Sequence, residues 1–183
     1  MINKKSGKNK NIIIIGGGSG GYLAAIEAAK RGAEVTLIEK DKLGGTCVNR
    51  GCVPTKALVQ TAKMFYDIGK AHEYGINVEK VSLDFEAIKL RKNKIVKQLR
   101  EGVEYLIKKN KINLFKGTAK IIAPGKVKIF GNTETEIMGD KIIIATGSVP
   151  RELQTNKIKN IINSDEALEL QELPKKIVII GGG

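Results

Sequence analysis

Residues 12–15 are four isoleucines that run straight into Gly16-Gly17-Gly18-Ser19-Gly20-Gly21. A short, wholly apolar, β-branched run suits a parallel strand buried on both faces. The glycines form G-x-G-x-x-G at Gly16, Gly18 and Gly21. The first permits a tight turn, the second lets backbone approach a pyrophosphate, and the third lets helix and strand pack closely. Tyr22 to Arg31 has helical spacing with Gly32 as a stop, and Glu34 to Glu39 is a second apolar strand. Strand, glycine turn, helix and strand make one βαβ unit within about 30 residues. Glu39 stands 18 residues after Gly21, at the end of that second strand. A carboxylate there can accept hydrogen bonds from ribose hydroxyls and would repel a 2′-phosphate. The helix N-terminus offers free N–H groups to phosphate.

The same signal returns at the far end. Lys176-Ile-Val-Ile-Ile-Gly-Gly-Gly matches Asn11-Ile-Ile-Ile-Ile-Gly-Gly-Gly. Ile177–Ile180 is therefore expected to be a strand feeding a second glycine turn. Its helix would follow Gly183, so the sequence is expected to be the front part of a longer chain with a second dinucleotide-binding unit.

Between these units, Leu43 to Gly51 reads as glycine-rich and irregular. A helix is expected from Pro54 to about Ile68, and a longer one from Asp84 to Lys109. In the second, Phe85, Ile88, Ile95, Leu99, Val103 and Leu106 share one face and the cations form a solvated one. The period then changes to two. Ile112–Phe115, Ala119–Ile122, Lys126–Phe130 and Glu134–Ile137 are expected short strands, punctuated by Pro124-Gly125 and Gly131-Asn132. Ile142–Ala145 is another buried strand, and Ser164 to Leu170 a short helix.

Composition narrows the function. Lys+Arg number 32 against 19 Asp+Glu, a net charge of +13. That balance admits an anionic partner, but the excess is almost all lysine in a chain also rich in isoleucine and asparagine. Only five arginines and no tryptophan are present. Bidentate base contacts and stacking platforms are thus not evident, which argues against nucleic acid. No apolar run approaches the ~20 residues of a membrane helix. The basic start followed by isoleucines is too short an apolar run for a signal peptide.

Both cysteines fall in Gly44-Gly45-Thr46-Cys47-Val48-Asn49-Arg50-Gly51-Cys52-Val53-Pro54-Thr55-Lys56. They could be small buried hydrophobes or half a metal site. A metal site lacks partners, since His72 is the single histidine. The better reading is a redox dithiol. On a regular helix, Cα atoms five residues apart are roughly 8 to 9 Å apart, whereas a disulfide needs about 4.4–6.8 Å. Cys47 is therefore expected in an irregular turn, with Gly51 letting the chain curl and Cys52 where a helix begins. A helix N-terminus favours thiolate, and Lys56 adds positive charge one turn on.

This segment resembles the redox signature of the class I pyridine nucleotide–disulfide oxidoreductases, dimeric flavoproteins. The resemblance covers residues 11 to 183, including both glycine fingerprints and Ala145-Thr146-Gly147-Ser148. Within the family, Pro54-Thr55-Lys56-Ala57-Leu58 is most similar to the dihydrolipoamide dehydrogenase branch, where P-S-K-A-L is usual. Val48 and Val53 keep mercuric and glutathione reductases open, and the absence of a full second dinucleotide-binding unit keeps open a non-catalytic FAD-binding remnant.

The resemblance implies an α/β, Rossmann-like FAD-binding domain, a parallel sheet with helices plus a small antiparallel meander. The basic, polar start over 1–11 reads as a disordered tail; the resemblance implies the FAD domain with its redox disulfide over 12–150, and over 151–183 a connector with the first strand and glycine turn of an NAD-binding domain. Gly16, Gly18 and Gly21 would bind the FAD pyrophosphate, and Glu39 with Lys40 the adenosine side. Gly44, Gly45 and Thr46 would line the FAD. Ala119 would touch adenine, Thr146, Gly147 and Ser148 would lie near the cofactor, and Lys56 would approach the flavin. Cys47 would be the interchange thiol and Cys52 the thiol beside the flavin. The implied reaction takes dihydrolipoamide and NAD⁺ to lipoamide and NADH. Its partners would be a lipoyl-bearing protein or small disulfide, and a second copy in a homodimer, in the cytoplasm. The family's His-Glu base has no counterpart here. His72, in Ala71-His72-Glu73-Tyr74, has the wrong context and reads as a surface residue.

Overall fold

The structure is a computed structural model and describes residues 10–151 and 161–181. Residues 1–9 of the tail expected over 1–11, part of the connector over 152–160 and the last two glycines lie outside the described residues; the tail's expected end is corrected, because Asn11 already belongs to the first strand.

Two sheets organise the chain. Strands β1 (Asn11–Ile15), β2 (Glu34–Glu39), β3 (Asn113–Lys116) and β7 (Lys141–Ile144) form a parallel sheet in the order β3-β2-β1-β7. Ile14 is paired with Leu37 on one side and Ile143 on the other. Strands β4 (Thr118–Ala123), β5 (Lys126–Phe130) and β6 (Thr135–Met138) form an antiparallel meander.

The isoleucine run explains the layering. Alternate side chains leave opposite faces of a strand. Ile14 joins Leu37, Ala25, Ile26, Val103 and Ile107 on the helical side. Ile13 and Ile15 join Ile38, Val127 and Ile129 on the meander side. The helical layer is α1 (Ser19–Lys30) and α4 (Phe85–Lys109), which contribute Ala25 with Ile26 and Val103 with Ile107 respectively. Asp84 caps α4, its carboxylate accepting from the Ala87 N–H at 3.0 Å. The result is the three-layer, Rossmann-like α/β architecture expected, with a parallel sheet between helices and a meander.

Three expectations are corrected. Gly45–Arg50 is a short helix, α2, and not irregular chain; α3 (Cys52–Gly69) follows it. On α4 the buried residues are Lys92, Val103 and Ile107, while Leu99 and Leu106 are exposed. The pattern puts every α4 cation on the solvated face, but a lysine stem can lie on the core side if its ammonium finds partners. Ile177–Ile180 forms no strand among the described residues and its side chains are exposed. A strand needs a neighbour to satisfy its backbone, and no described segment pairs with this one. The short helix near Ser164 is present as α5 (Ser164–Ala167), shorter than expected.

Candidate dinucleotide and redox site

The chain runs outward from β1 to β2 to β3, then returns to place β7 on the other side of β1. The crevice beyond the carboxyl ends of the strands at such a reversal is where open α/β sheets bind ligands. The glycine loop lies there. Gly16 has φ +105°, and its N–H donates to the Ile38 carbonyl at 2.8 Å. A Cβ on Gly16 would collide with the Ala145 carbonyl oxygen, and one on Gly21 with the Gly16 carbonyl oxygen. Gly18 differs. A Cβ there would find only Gly45 Cα, at an ordinary 3.7 Å. Gly16 and Gly21 are thus glycine for the fold, whereas Gly18 faces space that the protein does not fill. Gly18 is also the N-cap of α1 and makes no side-chain cap, so the first turn's N–H groups are left for an anion.

Glu39 closes one side of this loop. Its carboxylate accepts from the Gly17 N–H at 2.6 Å and from the Asp41 N–H at 2.8 Å. Lys40 beside it is exposed. The Gly117 N–H donates to the Glu39 carbonyl at 2.9 Å, which starts β4, and Ala119, two residues on, at this end of the sheet. Ala145 N–H bonds to the Ile15 carbonyl at 2.8 Å and continues β7 alongside the loop. Thr146 follows, its Cα 3.1 Å from where a Gly16 Cβ would be. Gly147 and Ser148 continue outward and are exposed.

The cysteine segment docks directly on the glycine loop. The Gly44 N–H donates to the Gly17 carbonyl at 2.9 Å. A Cβ on Gly45 would stand 2.6 Å from Gly18 Cα, so the two backbones meet with nothing between them. Gly44 and Gly45 have φ of +97° and +59°, which glycine adopts without strain. Thr46 is exposed at this junction.

Cys47 then sits in the middle of α2, which corrects the expected irregular turn. The break falls at Gly51 (φ −143°, ψ −109°), and Cys52 is the first residue of α3. The regular-helix spacing therefore does not apply, because the two cysteines lie on two helices that meet at a corner. Both are free thiols, Cys47 half-buried and Cys52 exposed. The Cys52 side chain is in hydrogen-bond contact with Cys47. That bond, then burial and then repulsion from Cys52, pushes the Cys47 thiol above its ordinary value. A hydrogen bond from the Cys52 backbone and then the Lys56 charge pull the other way and are outweighed.

Sequence reasoning missed the brace behind this corner. Asn49 donates its side-chain amide to the carbonyls of Leu43 (2.9 Å) and Gly45 (3.0 Å). Arg100 on α4 donates to the Asn49 side-chain oxygen at 3.4 Å. The only available signal was an amide placed between two cysteines. Arg50 pairs with Asp41 at 3.2 Å.

Two features lie apart from the site. His72 is exposed in a 3₁₀ turn, Ala71–Tyr74, beyond the far end of α3. The 18 residues of α3 separate it from Cys52 by about 27 Å at the helical rise. A cleft of about 500 Å³ lined by Asn11, Thr36, Asn113 and Phe115 opens at the opposite, amino ends of the parallel strands.

Fold and site together define a Rossmann-like α/β protein with two cysteine thiols held beside its first glycine loop. The chain belongs to the pyridine nucleotide-disulphide oxidoreductase family, whose model matches residues 10–183. It is similar to the dihydrolipoyl dehydrogenase of Bacillus subtilis, 41% identical over 94% of this chain and 39% of that protein. The corresponding figures for the protein of that name in Chlamydia pneumoniae are 44%, 93% and 37%, and for that in Staphylococcus aureus 42%, 93% and 37%. The chain thus spans about two fifths of the length of the curated relatives it matches. No helix among the described residues is long and apolar enough to cross a membrane.

Proposed function

We propose that residues 12–150 bind FAD and carry a redox disulfide, and that 151–183 lead into an NAD-binding unit. On this reading the chain is part of a cytoplasmic, homodimeric enzyme that oxidises dihydrolipoamide, free or on a lipoyl-bearing protein, with NAD⁺. The observation that carries it is the backbone contact of Gly45 with Gly18, which fixes a dithiol to a phosphate loop.

The residues fit the cofactor. Gly18 leaves room at the α1 N-terminus for a pyrophosphate, with Gly16 and Gly21 holding the turn around it. Glu39 would exchange its bond from Gly17 for ribose hydroxyls, with Lys40 and the Ala119 backbone on the adenosine side. Gly44, Gly45, Thr46, Lys56 and Thr146–Ser148 would border the rest. Bound FAD supplies a two-electron relay between the dithiol and the nicotinamide.

The chain's own step is thiol–disulfide exchange. With the pair oxidised, one thiolate of dihydrolipoamide attacks Cys47 Sγ, the S–S bond breaks, and Cys52 leaves as a thiolate. The second substrate thiol, once deprotonated, attacks the mixed disulfide. Lipoamide leaves with its own S–S bond, and Cys47 takes up a proton. The substrate loses two electrons and the cysteine pair gains them. The upward push on Cys47 suits it to hold that proton, because a Cys52 thiolate alongside disfavours a second charge.

The test is to load the protein with FAD, oxidise it, add dihydrolipoamide, remove the small thiols and count the thiols on the protein. Two thiols appearing per flavin-loaded chain support the proposal; no flavin uptake, or none appearing, would sink it. Gly18→Ala separates ligand from fold. The added methyl meets the protein only at ordinary contact, so the thermal midpoint should move little. FAD affinity, read by flavin fluorescence, should fall by at least about tenfold where a methyl intrudes on the pyrophosphate.

A further inference from the structure

Among the described residues Lys92 is the one buried charged side chain, 1% exposed. A buried ammonium is tolerated only when paired and hydrogen-bonded. Its Nζ donates to the Leu168 carbonyl at 2.6 Å and to Glu169 Oε1 at 2.7 Å. Both partners lie 76 and 77 residues along the chain, just past α5. Lys92 has no place in the exchange chemistry above, so its burial calls for another account.

The two ends of α5 differ. At its start Asn163 and Glu166 form a capping box, so that end satisfies itself. At its finish Leu168 is the C-cap, where a helix leaves carbonyls without internal partners. Lys92 meets one of them from α4. Two other contacts run the same way: Lys89 to Gln171 at 3.0 Å, and Arg50, at the end of the Cys47 helix, to Asp165 at 3.7 Å. An apolar side chain of similar volume could fill the space of Lys92, but it would offer no donor and so no fixed register.

We infer that Lys92 is a positioning residue that seats residues 163–171 on α4, and so sets where the chain enters its isoleucine–glycine segment at 176–181 relative to the Cys47 helix. The segment at 176–181 begins only seven residues after Glu169. The seat holds whether or not FAD binds, and so does not depend on the proposed function.

Hydrogen exchange by mass spectrometry on the full chain tests it, with Lys92→Met, Lys92→Arg and Glu169→Ala beside the parent. In Lys92→Met, exchange over 163–171 should rise about tenfold or more, while peptides of β1, β2 and the start of α3 keep their rates. Lys92→Arg keeps the charge and should keep part of the protection. Glu169 is mostly exposed, so Glu169→Ala should leave the core folded and raise exchange in the same segment by a smaller factor. This variant decides the matter if Lys92→Met fails to fold. Unchanged exchange over 163–171 in Glu169→Ala, or a rise shared equally by β1 and β2, would overturn the inference. Flavin uptake measured on the same samples reports the proposed function separately.

Discussion

On the proposed function, Cys52→Ala is expected to abolish disulfide exchange with dihydrolipoamide, with a loss on the order of 10³-fold or more, because exchange needs a second sulfur to leave and return. Cys47→Ala should lose as much. The two variants should nonetheless differ in a way that turnover does not show. The remaining thiol in Cys52→Ala is Cys47, whose proton is held chiefly by its hydrogen bond with Cys52 and further by repulsion from that sulfur. A raised thiol pKa means less thiolate at neutral pH and slower alkylation. Removing the Cys52 side chain removes the largest cause of the rise and leaves burial acting upward against the backbone N–H of residue 52 and Lys56, which act downward. The rate–pH curve for iodoacetamide on Cys47 should therefore move to lower pH in Cys52→Ala. Its rate at neutral pH should rise above that of Cys47 in the parent, read by mass spectrometry of the labelled peptide. A curve that stayed in place would mean that burial, not its partner, holds the proton on Cys47.

The elements that local pattern decides were legible. Ile12–Ile15, the glycine spacing and Glu34–Glu39 lie within one βαβ unit, and the structure places each where the pattern implies. The meander also follows from its period and its turn residues, with boundaries shifted by a residue or so. What escaped reading depends on distant chain. Gly45–Arg50 has a glycine-rich, helix-poor start, yet it is helical because Gly44 and Gly45 are pinned to Gly17 and Gly18 and Asn49 ties the turn shut. Lys92 looks like any lysine on a charged helix until a segment 76 residues later covers it. Ile177–Ile180 repeats the strand signal of β1, but a strand is a property of a pair and none of the described residues supplies the partner. The family resemblance implied that the glycine loop and the cysteine segment share one cofactor, but the residues alone did not show their direct contact. That contact, of Gly18 with Gly45, comes from the fold and not from either motif's own pattern.

Within that site, Gly21→Ala is expected to be the most damaging single methyl in the chain, and its neighbour Gly20→Ala among the most harmless. Gly20 is exposed on the first turn of α1, where an added Cβ meets only Ala145 Cβ, at 4.0 Å. Alanine there should stabilise the protein by roughly 0.5–1 kcal/mol, the ordinary gain over glycine in a helix. Gly21 is buried, and its Cβ would overlap the Gly16 carbonyl oxygen. A carbonyl in a turn cannot rotate away as a side-chain tip can, because Gly16 is itself hydrogen-bonded to Ile38 and backed by Ala145. The helix must lift instead. That opens the packing of Ala25 and Ile26 on Ile14 and Leu37, at a cost of about 3 kcal/mol or more. Against a domain stability of about 5–15 kcal/mol, this is enough to lower the urea midpoint by a large fraction. Equal midpoints for the two variants would mean that α1 is not seated by this contact. The difference matters for function as much as for folding. Lifting α1 carries its free N–H groups, and Gly18 with them, away from Gly45, so the cofactor cradle and the dithiol would separate in the same movement.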